Sequence, residues 1–424
     1  MTVHKTIAKT AAETTLAAQF AQLQGVDSDR ATAFQAFAAA GLPTRRNEAW
    51  HYTDLRSAMT AAAPLAPAPG GAQIEAAREQ LAAHKRAGDV RLVLVDGRFA
   101  PELSDAAPEG AIAGMLVKSP PLTQPDAIVA LNDAFAAQGL ALDVQAGVKL
   151  PERIEIVHCA SAVAPVAIYS RVHITLFAGA EARIVESFLG AGALCQRNAL
   201  TSLSLGAGAH CHHASLIDDD AGLHLESQIV RLGDEAKFSA FGFVAGGALV
   251  RRQIFATLTG QHGNLALGGL SLINGKRHAD TTLVVDHAAP HGQSREYYRH
   301  IVADDATGVY QGKVIVQPGA QKTDGGMKSQ AILLSPHAVM NNKPELEIFA
   351  DDVVCGHGAT VGALDPEQTF YLQARGLPKA EAEAMLLEAF GADAIARVDD
   401  EEIAELLREK MRAWLAKRAE GGSS

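Results

Sequence analysis

Four glycines constrain this chain more than any other feature. Gly179, Gly206, Gly233 and Gly260 follow one another at a constant step of 27 residues. The register extends beyond the glycines. Three positions after each stand Ala182, Ala209, Ala236 and Gly263, then polar Arg183, His210, Lys237 and Asn264, then Ile184, Cys211, Phe238 and Leu265. Each unit reads as strand, glycine turn, strand, with a second turn near its middle, as at Asp218–Gly222 and Ala245–Ala248. One such unit cannot bury its apolar face alone, and stacking the units does so, which is the physical basis of a solenoid. A β-sandwich also uses short strands and glycine turns, but it needs no fixed step. The constant step favours a β-solenoid. After Gly260 the step lapses, while the strand–turn style continues through Asp304-Asp305 and Pro318-Gly319 to about residue 362.

Helical sequence flanks this core. Residues 1–88 read as an N-terminal helical domain, with Ala, Leu and Gln dominating 11–24 and 31–40 in the same style. Within it, Arg45–Leu55 packs charge and aromatics densely and reads as a helix start that pins the domain down. Residues 61–73, AAAPLAPAPGGAQ, read as a linker. Residues 89–362 form the β core, which opens with the strand-like Val90–Val95 and an Asp96-Gly97 turn. Residues 363–424 return to helix. Asp365 is a good N-cap, Pro366 suits the first helical position and Gln368 has capping-box spacing. Gly376-Leu377-Pro378 breaks that helix. Lys379–Phe390 and Glu401–Arg418 then carry Ala and Leu at helical spacing. The last is expected to be an exposed amphipathic element, docking a partner or capping the solenoid end, with Gly421–Ser424 a disordered tail.

Charge and cysteine usage narrow the function. A formal charge of −11 opposes nucleic-acid binding, which needs clustered Lys and Arg, and aromatics at 5% supply no stacking platform. Four cysteines (Cys159, Cys195, Cys211, Cys355) are too scattered for a disulfide framework, and no CxxC occurs. The N-terminus lacks an apolar signal core, and no run of about 18 apolar residues is present to span a membrane. A cytoplasmic location is the expectation. No P-loop occurs, Asn274-Gly275-Lys276-Arg277 being the nearest approach, so the chain is not expected to hydrolyse ATP.

The densest chemistry lies in Lys343–Gly376, KPELEIFADDVVCGHGATVGALDPEQTFYLQARG. Cys355 and His357 stand two residues apart in a strand and so project from one face. A thiol and an imidazole so placed suit a thiophilic metal, iron or a sulfur species. Packing is the alternative for Cys355. His210-Cys211-His212-His213 is less able: His210 and His212 share one face and Cys211 and His213 the other, so at most two ligands converge. Cys211 falls on the repeat's apolar position. His278, His287, His291 and His300 have no ligand spacing, and the acidic runs at 218–220, 304–305 and 351–352 read as solvated turns.

Three stretches together resemble the SufD branch of the SufB/SufD family of SUF iron–sulfur cluster assembly proteins. They are Arg45–Leu55 (RRNEAWHYTDL), Gln321–Ser335 (QKTDGGMKSQAILLS) and Lys343–Gly376, so the resemblance runs from about residue 40 to the end. It implies a mainly β protein: a right-handed parallel β-helix between N-terminal and C-terminal helical domains. It implies edge-on pairing with SufB through the β-helices, binding of the ATPase SufC through the C-terminal helices, and indirect dealings with a cysteine desulfurase system. A homodimer of the isolated chain is an alternative pairing. The implied function is that of a non-enzymatic scaffold that builds and transfers nascent Fe–S clusters and takes part in iron acquisition. His357 then matches a candidate cluster or iron ligand at the SufB interface and Cys355 its neighbouring thiol. The cluster or iron would be transient and shared with SufB, with none held tightly by the isolated chain.

Departures from the family pattern are Gly325-Gly326, where bulkier polar residues are usual, and Gly356 in place of the commoner Ser. The absence of a CxxCxxxC motif favours SufD over the paralogous SufB. A β-helix enzyme acting on acidic polysaccharide is the rival from another class.

Overall fold

In the computed structural model, which describes residues 8–116, 126–161, 165–190 and 192–421, the chain from Val90 to Gly362 winds into a parallel β-solenoid of about eight coils. From Lys149 onward each coil gives one strand to a ten-stranded sheet, here the first, and one to a nine-stranded second sheet facing it. Among the described residues antiparallel pairing occurs only at the start, between Val90–Val95 and Arg98–Phe99 and between Ala111–Leu116 and Gly139–Val144. The apolar core lies between the sheets and is built from stacked columns such as Leu176, Leu205, Leu232 and Leu258. Residues at equivalent positions in parallel coils fall at one height, so a column needs the same kind of residue once per coil.

The coil length is not constant. Along the column Leu176, Leu205, Leu232, Leu258, His287, Val316, Ile348 the steps are 29, 27, 26, 29, 29 and 32 residues. The glycine series therefore holds for Gly206, Gly233 and Gly260 but slips by two residues at Gly179. The counterpart of Gly179 is Gly208, since Glu181 pairs with His210. Both glycines are left-handed, with φ of +68° and +66°, and the same turn position continues at Glu235, His262, His291 and Lys322, φ +56° to +63°. Each N–H there donates to the next turn, from Gly179 to Ala207 O through to Lys322 to Asp352 O. This ladder of backbone bonds offsets the conformational cost of the non-glycine members. Gly260 is needed for a different reason. A Cβ on it would lie 2.0 Å from the Asp234 backbone nitrogen.

Each outer sheet face carries a helical layer. Ala11–Gln22, Ser28–Ala40 and Ala127–Phe135 pack on the second sheet, with Phe20 and Phe34 stacked at 4.0 Å. Lys379–Ile395 and Glu401–Gly421 pack on the first sheet, burying Leu387, Ile403, Leu407 and Met411 against Phe241, Phe243 and Leu270. The last helix is thus amphipathic as expected, but its apolar face is docked on the flank of the solenoid, not over its end, and its polar face is exposed. Arg153 fastens it, donating to both Asp400 oxygens at 2.8 Å. The stretch read as a linker is bonded to the solenoid, Ala66 N donating to Ala167 O, and becomes helix at Gly71. Of the expected tail, Gly421 ends the last helix and 422–424 lie outside the described residues.

Candidate functional site at the open end of the solenoid

The solenoid ends in two strands beyond which no strand pairs among the described residues. Val339–Ile348 closes the second sheet and Val354–Gly362 the first, and each has one unpaired edge. In the first sheet Cys355 pairs with Gly325 and His357 with Met327. Met327 is a buried member of the main core, so Cys355 and His357 stand on the inward face. Among the described residues no further coil covers that face. His357 is therefore exposed although its column is interior elsewhere, and Cys355 is half-buried. Around them Val339, Ile348, Phe349, Val354 and Val361 are left 41–72% exposed. An unpaired sheet edge rimmed by apolar side chains is what a partner strand covers.

The chemistry of the two residues differs. Burial pushes the Cys355 thiol up, and the nearby carboxyls of Asp324 and Glu296 add to this against a hydrogen bond from the Gly325 backbone, so at rest it is a thiol. Its Sγ lies 3.4 Å from where a Gly325 Cβ would stand. His357 offers an accessible imidazole. Among the described residues no three His, Cys, Asp or Glu side chains converge as a metal site. Cys355 and His357 are at most half of a coordination sphere.

The other candidates are committed elsewhere. His213 points inward and bonds Glu186 at 2.8 Å, Cys211 is fully buried, and His212 Nδ1 lies 2.6 Å from Ser239 and 3.3 Å from Asp399. Asp219 binds Arg197 at 2.8 Å, and Asp352 pairs with Lys322, which holds a turn. His300 is buried with both ring nitrogens unpartnered, neither a surface nor a satisfied core residue. Asp365 caps its helix by accepting from Glu367 N.

The Arg45–Leu55 stretch is an anchor. Trp50 is buried beneath the guanidinium of Arg251, which also donates to Ala49 O at 2.7 Å and pairs with Asp280. Thr53 bonds the same Asp280 and lies 2.8 Å from His278 Nε2. Glu48 reaches Lys343 of the last second-sheet strand at 3.1 Å. Two of the three resembling stretches thus meet at the rim of the open end. Sequence reasoning missed the buried charges of the interior, Glu186, Glu226, Arg252 and Glu296, because strands buried on both faces show no polar–apolar alternation.

Comparison with known proteins places this geometry in context. The family model described as SUF system FeS cluster assembly, SufBD core domain, matches residues 158–390, which takes in the strand bearing Cys355 and His357. The iron–sulfur cluster assembly protein SufD of Escherichia coli is 31% identical over 398 residues, 90% of each chain. An iron–sulfur cluster assembly SufBD family protein of Synechocystis is 26% identical over 84% of each chain. Protein ABCI7, chloroplastic, of Arabidopsis thaliana is 30% identical over 58% of this chain and 52% of its own.

Proposed function

The chain belongs to the SufBD family of SUF-system iron–sulfur cluster assembly proteins, on the SufD side, and we propose that it works there as a non-enzymatic scaffold subunit. In this reading a SufB-type partner continues the solenoid across the open end. The half-sphere of Cys355 and His357 then meets ligands from the partner, and iron or a nascent cluster is held between them as cargo. The single observation that supports this best is the position of His357 on the inward face of the last strand, exposed where its column is otherwise buried. A thiolate and a neutral imidazole suit ferrous iron with sulfide, and binding must displace the thiol proton.

The finer roles belong to the same proposal. The C-terminal helices from Asp365 to Arg418 would bind the ATPase SufC, and their ion pairs to the first sheet would pass its motion to the solenoid. Sulfur would come from a cysteine desulfurase system, and the open end would serve iron acquisition. Four free cysteines accord with a reducing cytoplasm. No helix among the described residues is long and apolar enough to cross a membrane.

The test is His357→Ala in the chain co-expressed with SufB- and SufC-type partners. Complex assembly is expected to persist while iron and sulfide content of the purified complex collapses. Wild-type content in the variant would remove His357 as a ligand.

A further inference from the structure

A cavity of about 360 Å³ lies between the outer face of the first sheet and the loop, 396–400, that joins the last two helices. Two neighbouring rows of outward residues make its floor, because outward positions recur every second residue along each strand. In both rows the middle coils carry small residues. Ala214 and Gly268 stand in one row, on either side of Phe241, and Ala266 stands in the other. The ends of the rows are large, with Tyr297 closing the first and Arg183 and Arg295 closing the second. A Cβ on Gly268 would lie 3.1 Å from the Phe241 ring, so the missing side chain lets that ring lean across the next coil. Ile403 is packed down beside Phe241, but the loop before it spans the hollow with only the half-buried Val398. The floor is therefore apolar and the space above it unfilled.

The margin of the cavity is cationic. Four arginines line it against two aspartates. Arg153 is fully engaged by Asp400 and Glu402, and Arg295 pairs with Asp324 at 2.6 Å. Arg183 donates to Pro151 O and reaches, at 3.7 Å, only the Asp400 oxygen that Arg153 already holds at 2.8 Å. Arg397 is the most available. One face of its guanidinium lies over the Tyr297 ring, 3.7 Å from the centroid, and it makes no ion pair among the described residues. Asp399 is turned outward, its side chain 66% exposed and 3.3 Å from His212 Nδ1. Arg183 and Arg397 thus leave an excess of positive charge over an apolar floor. A guanidinium held by its face on an aromatic ring keeps its fork of N–H groups for a carboxylate.

We propose that this cavity binds a small aromatic carboxylate, a flat apolar body bearing one anionic group. The body rests on Ala214, Phe241, Ala266 and Gly268. The carboxylate accepts hydrogen bonds from Arg397, and Arg183 adds its charge from the far end of the floor. The size suits such a ligand, since pockets for small molecules begin near 300 Å³ and are lined mostly by apolar groups with a few placed polar ones. The site is separate from the open end of the solenoid and stands whether or not iron is held there. Its position gives binding a consequence. The floor belongs to the sheet and the roof to the C-terminal helical layer, so a bound ligand touches both and favours the docked arrangement by mass action.

The test titrates the full chain with cinnamate and with cinnamamide, its neutral counterpart, by calorimetry. Cinnamate is expected to bind at a single site, about tenfold more tightly than the amide. Arg397→Gln keeps the length of an exposed side chain and removes its charge. It should weaken cinnamate about tenfold and leave the amide unchanged. Ala266→Phe fills the hollow and should abolish binding of both. Thermal unfolding without ligand checks that each variant is folded, and if Ala266→Phe is not, Arg397→Gln decides the matter alone. Absence of cinnamate binding at millimolar concentration overturns the proposal. So does binding that neither variant alters, which would place the probe elsewhere, as on the apolar rim of the open end. Equal affinity for cinnamate and cinnamamide overturns the assignment of an anion.

Discussion

The guanidinium carbon of Arg251 sits 3.7 Å from the centroid of the Trp50 ring. Two residues about two hundred positions apart in sequence thereby lock the N-terminal layer onto the second sheet. The same arginine is fully buried and neutralised by Asp280, which also receives Thr53. Removing the indole opens a cavity over a buried ion pair. Trp50→Ala is expected to cost about 3–5 kcal/mol in urea unfolding. A loss below 1 kcal/mol, on the order of a surface substitution, would show that the stretch does not anchor the layer.

The cysteines divide sharply. Burial pushes Cys159 and Cys211 up to about 12 and Cys195 up to about 11, and all three are buried. Cys355 is also raised but half-exposed. Iodoacetamide on the folded chain should label Cys355 and spare the rest, faster as pH rises and thiolate accumulates. Peptide mass mapping reads the outcome. Labelling of Cys211 at the Cys355 rate would contradict the packing described.

The solenoid was legible because stacked coils force a repeated residue class at each height, and glycines at close backbone approaches mark it. The slip at Gly179 was not. The left-handed turn position it occupies is filled by Glu235, His262, His291 and Lys322 in later coils, so glycine does not mark that position. The shared face of Cys355 and His357 followed from strand geometry. That this face is inward, and uncovered, depends on where the coils stop, which no local pattern encodes. Glu296 was hidden for another reason. It lies between Arg295 and Tyr297 in a strand whose inward and outward faces both carry polar groups.

Two glycines three residues apart should respond differently to one methyl group. At Gly260 a Cβ would meet backbone of the preceding coil at 2.0–2.5 Å, and backbone cannot give way cheaply. At Gly263 it would meet only Leu258 side-chain atoms at 3.4 and 3.6 Å and one backbone oxygen at 3.7 Å. Gly260→Ala is expected to destabilise by about 1–3 kcal/mol or more, and Gly263→Ala by little. Equal effects in thermal unfolding would refute the assigned coil register.

Glu296 gives the fold a pH dependence of unusual sign. Burial raises its folded value to about 7 from an ordinary 4.5, against a hydrogen bond from Ser294 and the charge of the flanking Arg295, and Tyr298, Tyr310 and Cys355 also face it. The folded chain therefore holds a proton that the unfolded chain releases. This contribution is fully present below pH 4.5 and is lost as pH rises toward 7 and beyond. It amounts to on the order of 2–3 kcal/mol. Buried His287, lowered to about 4, and His300, lowered to about 3, act oppositely, favouring the fold as pH rises through the ordinary histidine range. The two effects mask each other in the wild type. Glu296→Gln removes one of them. The stability difference, variant minus wild type, should grow by about that amount between pH 5 and pH 8 in denaturant titrations. A difference that stays flat with pH would mean that Glu296 is ionised in the fold, held so by Arg295 or the Ser294 hydroxyl.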